Sequence, residues 1–314
     1  MTRLESGNAP IVLVTRIWPR PDRPSVGAFV RDRARGVGGM VVVRPRRRAL
    51  PGPLVYLQLL VDALAVRPPI RGVEAHMLIP TGLVGLLAAR LRGVPLGVYA
   101  HGRDVRGWQT AAAPMRWITR RVARAADRVW TNSEDTADQL RQLGVDPKVI
   151  APGVDLGRFG PSPRPSEPRV LFLGGTTPGK GHEIAAGLAD TLAGPGLRDV
   201  EPAEVPALIA EHDVVLVPSA AEAFGLVAVE AIASGRWVVA SDVGGLPAIV
   251  IDGVNGTLVR DGDFARALAE VPDYDPFTVA GTVAHFGLDR WQAAMAAEWD
   301  VLAPRRGTID GVAR

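Results

Sequence analysis

The 314-residue chain predicts an α/β fold of two units, each built on a mostly parallel sheet, and three observations carry that prediction. Short apolar runs alternate with helical patterns along the whole sequence, as parallel strands joined by crossover helices do. A Pro-, Gly- and Ser-rich stretch at 152–168 separates two halves of ordinary domain size. The halves also differ in charge. Residues 1–154 hold 24 Lys and Arg against 11 Asp and Glu, a net of +13, whereas residues 155–314 hold 12 against 22, a net of −10. Such a split suggests that the first half faces an anionic surface or substrate and the second does not.

In the first half the apolar runs predict strands at 11–15, 40–44, 75–79, 96–100 and 128–131. Helical periodicity falls at 27–36, 54–66, 82–92, 115–127 and 134–143, and Ser25 is placed to cap the first of these. In the second half strands are expected at 170–174, 213–217, 237–241 and 257–259. An Ala-rich helix over 226–234 is stopped by Gly235, and an amphipathic helix carrying Trp291 and Trp299 runs from about 290 to 302.

Composition excludes several classes. There is no Cys, so neither a disulfide framework nor a thiolate metal site exists, and a reducing compartment is the simpler expectation. No apolar run approaches the ~20 residues that span a bilayer, and the N-terminal apolar run has the length of a buried strand rather than of a leader. A cytoplasmic protein is expected. No aromatic residues interleave with the arginines, which argues against nucleic acid as a partner.

The segment 222–230, Glu-Ala-Phe-Gly-Leu-Val-Ala-Val-Glu, is the most informative. It sets two carboxylates eight residues apart where a loop becomes a helix. The N–H groups of Phe224, Gly225 and Leu226 are free to meet an anion at the helix start. A phosphate cradle flanked by carboxylates, which accept hydroxyl hydrogen bonds, suits a nucleotide sugar. The Gly-Lys-Gly turn at 179–181 adds one of only two lysines, Lys180, a compact ammonium suited to phosphate.

These residues resemble the donor-site signature of family 4 retaining glycosyltransferases with the GT-B fold. Ala231-Ile-Ala-Ser-Gly235, Trp237-Val-Val-Ala-Ser241, Val243-Gly-Gly-Leu-Pro247 and Asp252-Gly-Val-Asn-Gly256 extend the match. Val149-Ile-Ala-Pro-Gly153 resembles the interdomain linker, Tyr99-Ala-His-Gly-Arg-Asp104 the acceptor-domain turn, and Thr15 to Val37 the N-terminal loop of polysaccharide-building members. The resemblance implies two Rossmann-like domains facing across a cleft: 1–154, with a terminal helix (290–314) crossing back onto it, and a donor-binding domain over 155–289.

It also implies residue roles. Glu230 would grip ribose hydroxyls and Glu222 the hexose. Lys180 and the amides around Gly225 would hold the diphosphate, Gly27 would let the first helix approach it, and Gly175 would line the same turn. His101 would reach the hexose. It follows a predicted strand at its carboxyl end, where parallel α/β sheets place ligand chemistry. Asp104 would orient His101 or meet the acceptor, with Arg103 on the acceptor side. A UDP-sugar is favoured over a GDP-sugar as co-substrate, and neither a metal nor a separate cofactor is expected.

The chain departs from the family at three places. Only about twenty residues, 182–203, fill the space where a further strand and helix are usual, so the donor domain is trimmed. Gly175 stands where an Arg usually helps neutralise the diphosphate, and Ala248 where a Glu often follows the Gly-Gly-x-Pro turn. The residues fit three rival readings less well. Gly174 to Lys180 approximates a P-loop, but Gly181 lacks the hydroxyl that would hold Mg²⁺. The first strand leads into no Gly-x-Gly-x-x-Gly fingerprint. Asp261-Gly-Asp263 reads as a turn.

Arg116, Arg120, Arg124 and Arg128 recur every four residues, joined by Arg121. With the arginines at 44–48 they offer either a solvated face or a dock for anionic lipid, which would make the protein peripheral on the inner face of a membrane. The expected function is hexose transfer from a nucleoside diphosphate sugar to a glycan, lipid-linked or small-molecule acceptor with retention. A GT-B sugar-nucleotide epimerase and a degenerate GT-B partner protein are the alternatives.

Overall fold

Apolar runs too short for helices pair side by side as parallel strands, in a computed structural model that describes residues 9–20, 26–36, 39–46, 52–198 and 200–304. These residues divide into two units. Of the described residues, one unit holds those up to Pro19, Val26–Ile150 and the C-terminal end from Gln292; the other holds Arg20 and Ala151–Trp291. The Ser25 cap and Arg47 and Arg48 of the basic run lie outside the described residues.

The first unit contains β1 (Ile11–Val14), α1 (Ala28–Gly36), β2 (Met40–Val43), α2 (Gly52–Ala65), β3 (Gly72–His76), α3 (Thr81–Arg92) and β4 (Leu96–Ala100). It continues with α4 (Arg103–Thr110), α5 (Ala113–Ala125), β5 (Arg128–Thr131), α6 (Glu134–Gln142) and β6 (Lys148–Val149). The strands form one six-stranded sheet in the order β2-β1-β3-β4-β5-β6, with parallel pairing at each step. From β1 the chain winds first to β2 and then back across to β3. The carboxyl ends of β1 and β3 therefore flank a topological switch point, where open α/β sheets bind ligands. Val12, Val14, Leu59, Val98 and Leu140 lie in its core.

The second unit holds β7 (Val170–Phe172), α7 (His182–Ala185), β8 (Thr191–Leu192), α8 (Val205–Ala210), β9 (Val214–Val217), α9 (Leu226–Ala233) and β10 (Trp237–Ser241). It goes on through β11 (Gly256–Val259), α10 (Phe264–Ala269) and α11 (Pro276–Gly281) to the start of α12 (Leu288–Leu302). Its parallel sheet runs β11-β10-β9-β7-β8, which places the switch point at the ends of β7 and β9. Val215, Val239 and Ile232 centre its core.

Two expectations are corrected. The third strand is Gly72–His76, upstream of 75–79, because Met77 turns into the left-handed region at φ 79° and ends it. A helix, α4, follows Gly102, whose φ of 86° starts it directly from the β4 end; the sequence suggested only a turn there. The segment around Asp252–Gly256 forms a tight turn ahead of β11. Asn255 closes the turn, its Oδ1 accepting the Ile251 N–H at 2.7 Å, and β11 then joins β10 in parallel.

The later turns of α12 pack within the first unit. Gly72 and Gly97 lack the Cβ atoms that would stand 2.3 Å and 3.2 Å from the Trp299 ring, so this indole packs in the core against β3 and β4. The Arg71 guanidinium donates to the Ala303 and Trp299 carbonyls at 2.7 and 2.8 Å, fixing the helix end.

Candidate functional site

In the second unit the predicted residues converge at the switch point. The loop after β7 turns through Gly179 and Gly181, both with positive φ, and packs on the end of β9: Ala220 donates its N–H to the Gly179 carbonyl at 2.9 Å. A Cβ on Gly181 would meet the Pro218 carbonyl oxygen at 2.0 Å, so only glycine permits this approach. The packing brings Lys180 Nζ to 2.5 Å from Glu222 Oε2.

Glu222 is itself held by the Val243-Gly-Gly-Leu-Pro247 turn. Its carbonyl accepts the Gly245 N–H at 3.2 Å, and a Cβ on Gly244 would stand 1.7 Å from that same oxygen. Gly225, at φ 114°, then starts α9. Among the described residues, the N–H groups of Phe224, Gly225 and Leu226 have no hydrogen-bond acceptor. They form the positive end of a helix beside an ammonium. Glu230 sits one turn inside, half-buried, and no described side chain hydrogen-bonds its carboxylate. Burial raises its pKa to about 7, against the opposing charge of Arg158.

Gly175 contributes differently from expectation. Its φ is 63°, its N–H is taken by the Ala193 carbonyl at 3.1 Å, and a Cβ would lie 2.4 Å from the Pro195 carbonyl oxygen. The Gly194-Pro195-Gly196 turn that closes the trimmed segment thus packs directly on Gly175. This turn leaves no room for a side chain at position 175.

In the first unit His101 follows β4, its ring 5.0 Å from Phe29 on α1 and 4.9 Å from Tyr99. Gly27, at φ 80°, brings α1 against the end of β1; a Cβ there would be 2.7 Å from the Ile17 carbonyl carbon. Asp104 is buried, and its carboxylate accepts the backbone N–H groups of Leu78 at 2.7 Å and of His101 at 3.0 Å. Its role is therefore to fix the His101 backbone, and Arg103 beside it is exposed. Burial holds the His101 pKa well below the ordinary histidine range, so the ring is neutral at pH 7.

Sequence reasoning missed what stands behind His101. His76 Nδ1 lies 2.9 Å from His101 Nε2, and His76 Nε2 lies 3.1 Å from Glu74 Oε1. Glu74 Oε2 accepts from Arg33 at 2.8 Å and from Trp299 Nε1 at 2.6 Å. Two ionisable residues spaced by two in an apolar run were the available signal, since that spacing puts both on one face of a buried strand.

The arginine stripe of α5 is mostly engaged. Arg120 and Arg124 donate to the Leu143 carbonyl at 3.3 and 3.0 Å, capping the end of α6, and Arg128 lies 3.4 Å from Glu298. Arg116 and Arg121 are exposed, the latter 6.0 Å from the ring of exposed Trp117. Arg120 and Arg124 are exposed as well, so the helical part of the stripe is a solvated face that also caps a neighbouring helix. Asp263 accepts the Arg266 N–H at 3.0 Å and so caps α10. Among the described residues no helix is long and apolar enough to cross a membrane.

Residues 163–271 match the family described as glycosyl transferases group 1, and residues 3–153 match the glycosyl transferase 4-like domain. A D-inositol 3-phosphate glycosyltransferase of Gordonia bronchialis is 30% identical, in an alignment covering 85% of this chain and 73% of that protein. The chain belongs to the family 4 glycosyltransferases. This family member is also 36% identical to a D-inositol 3-phosphate glycosyltransferase of Mycolicibacterium vanbaalenii over 69% of its own length and 63% of that protein. A Geodermatophilus obscurus protein of the same name is 36% identical over 54% of the chain and 51% of its own length. The chain thus spans between half and two thirds of the length of these two relatives.

Its fold is GT-B. The Anabaena protein HepE, solved with UDP, superposes with a TM-score of 0.70 at 19% identity, covering 94% of this chain and 100% of HepE. Sucrose-phosphate synthase of Thermosynechococcus elongatus does so with a TM-score of 0.73 at 18% identity, covering 94% and 99%.

Proposed function

We propose that this family 4 member transfers a hexose from a nucleoside diphosphate sugar to a hydroxyl acceptor with retention at the anomeric carbon. The observation that carries the reading is the Lys180–Glu222 pair beside the start of α9, with Glu230 one turn in. Lys180 and the three N–H groups take the charge that builds on the departing diphosphate, and preorganised donors of this kind supply most of the rate in such sites. The Glu230 carboxylate accepts the ribose hydroxyls, Glu222 the hexose hydroxyls, and His101 a further hexose hydroxyl.

The base is uracil in preference to guanine, a reading supported by the UDP complex of the structural neighbour HepE. D-inositol 3-phosphate, named in the relatives, is the first acceptor to try, and the basic first half suits a phosphorylated one. Arg116 and Arg121, beside Trp117, are the residues through which that half would meet anionic lipid.

The test pairs UDP-, GDP-, ADP- and dTDP-hexoses with D-inositol 3-phosphate and a panel of sugar acceptors. It follows nucleoside diphosphate release and the anomeric proton of the product by NMR. Acceptor-dependent release with the donor's anomeric configuration preserved is expected. Inverted product, or epimerised donor formed without acceptor, would overturn the reading; the latter outcome would favour a sugar-nucleotide epimerase.

A further inference from the structure

We propose that Glu74 and His76 are positioning residues that fix His101 in one tautomer, with its Nε2 protonated and its Nδ1 left as a hydrogen-bond acceptor. The inference rests on the role given to His101 above and extends it to side chains that do not touch substrate.

A central parallel strand is covered on both faces and ordinarily carries apolar side chains. In β3, Glu74 and His76 are instead fully buried, on the face that also carries Gly72. Burying a carboxylate, a guanidinium and an imidazole is costly unless every polar atom is matched. An ion pair between Arg33 and Glu74 alone would account for two of them as core structure. The chain of contacts does not stop there, however: it runs on through His76 to a ring at the sheet's ligand-binding end.

The hydrogen-bond roles follow from Glu74. Arg33 and Trp299 both donate to its Oε2, and the buried Arg33 charge keeps the carboxylate ionised, so it accepts only. His76 must then carry its proton on Nε2, toward Glu74 Oε1. The Arg33 charge already balances the Glu74 charge, so a second proton on His76 would leave a buried net positive cluster. His76 Nδ1 is therefore a bare acceptor, and across 2.9 Å the proton between the two rings belongs to His101 Nε2. His101 Nδ1 is left as a lone pair, able to accept from a donor-sugar hydroxyl. Phe29 and Tyr99 hold the ring plane, and Asp104 holds the backbone beneath it. Trp299, on α12, brings the C-terminal helix into the same network.

The experiment reads the tautomer directly, by long-range proton–nitrogen correlation on ¹⁵N-labelled protein without substrate. Wild type should show His101 protonated at Nε2; a His101 protonated at Nδ1 overturns the proposal, and this reading needs no variant. His76→Phe keeps the ring and removes the acceptor. It should turn His101 into a tautomer mixture and lower kcat on the order of 10- to 100-fold, with the donor KM within about 3-fold. His76→Asn, whose amide oxygen can replace Nδ1 as acceptor, should recover most of both.

A His76→Phe protein with unchanged tautomer and kcat overturns the positioning role, as does a His76→Asn protein no better than His76→Phe. Failure of wild type to transfer from any donor overturns the proposed function instead. The substrate-free spectra then still decide whether His76 sets the tautomer.

Discussion

Lys180 and Glu222 form an ion pair of 2.5 Å although 42 residues separate them, because both lie at the β7–β9 switch point of the second sheet. The pair joins the group suited to a diphosphate with the group suited to a hexose. Charged hydrogen bonds are worth about 1.5–3 kcal/mol. Lys180→Ala should therefore weaken nucleoside diphosphate binding and slow transfer by roughly 10- to 100-fold, while Glu222→Ala should slow transfer more than it weakens diphosphate binding. Steady-state kinetics on both variants check the division; unchanged kinetics in Lys180→Ala would reduce the turn to a structural role.

Gly244 and Gly175 give a second prediction. Both have positive φ and both leave no room for a Cβ, against the Glu222 and Pro195 carbonyls respectively. Gly244→Ala should lower stability by about 2 kcal/mol or more and impair transfer, since the Glu222 backbone must shift. Gly175→Arg should likewise destabilise, and it should not improve donor affinity despite restoring the family's usual cation. Thermal unfolding and nucleotide titration of the two variants read these outcomes.

Glu230 makes donor binding depend on pH. Its raised pKa of about 7 means that the folded protein holds the proton more tightly than the unfolded chain, whose value lies near 4.5. The ionised carboxylate is the better acceptor for two ribose hydroxyls. Nucleoside diphosphate affinity should rise as pH passes upward through about 7, and Glu230→Gln should flatten that rise. The same shift makes the folded state less favourable as pH climbs from about 4.5 to about 7, so Glu230→Gln should gain stability relative to wild type over that window.

Glu74 behaves in the opposite sense. Burial alone would raise its pKa, but the Arg33 charge and the His76 and Trp299 hydrogen bonds outweigh burial and lower it to about 2. Its ionised form therefore stabilises the fold above about pH 4.5, by about 3 kcal/mol if the whole shift is realised. That contribution is lost as pH falls toward about 2. Glu74→Gln should cost several kcal/mol at pH 7, because Arg33 is left buried without its charge partner. It should also weaken the acid dependence of unfolding between about pH 4.5 and pH 2.

Much of this was legible in the sequence, for identifiable reasons. Strands such as Leu96–Ala100 and Trp237–Ser241 are continuous apolar runs bounded by turn residues, and they fell at their expected positions. The Glu222–Glu230 spacing marked a loop-to-helix junction, and the glycines near it announced close backbone approach. Tertiary facts were not legible. That Gly194-Pro195-Gly196 would lie on Gly175, or that α6 would use Arg120 and Arg124 as caps, depends on which loops meet in space. The Glu74–His76 network was hidden because the expected strand began at Ala75. This placed Glu74 outside it, whereas the left-handed turn at Met77 puts the real strand three residues earlier.

Calorimetric titration of UDP, GDP, ADP and dTDP into wild type and Glu230→Ala tests the donor site most directly. At least one nucleotide, UDP first, should bind wild type saturably, and Glu230→Ala should weaken it by roughly 1–3 kcal/mol through unpaired ribose hydroxyls. Absence of binding by all four nucleotides, or equal affinity in the two proteins, would contradict the assignment of this switch point as a nucleotide-sugar site.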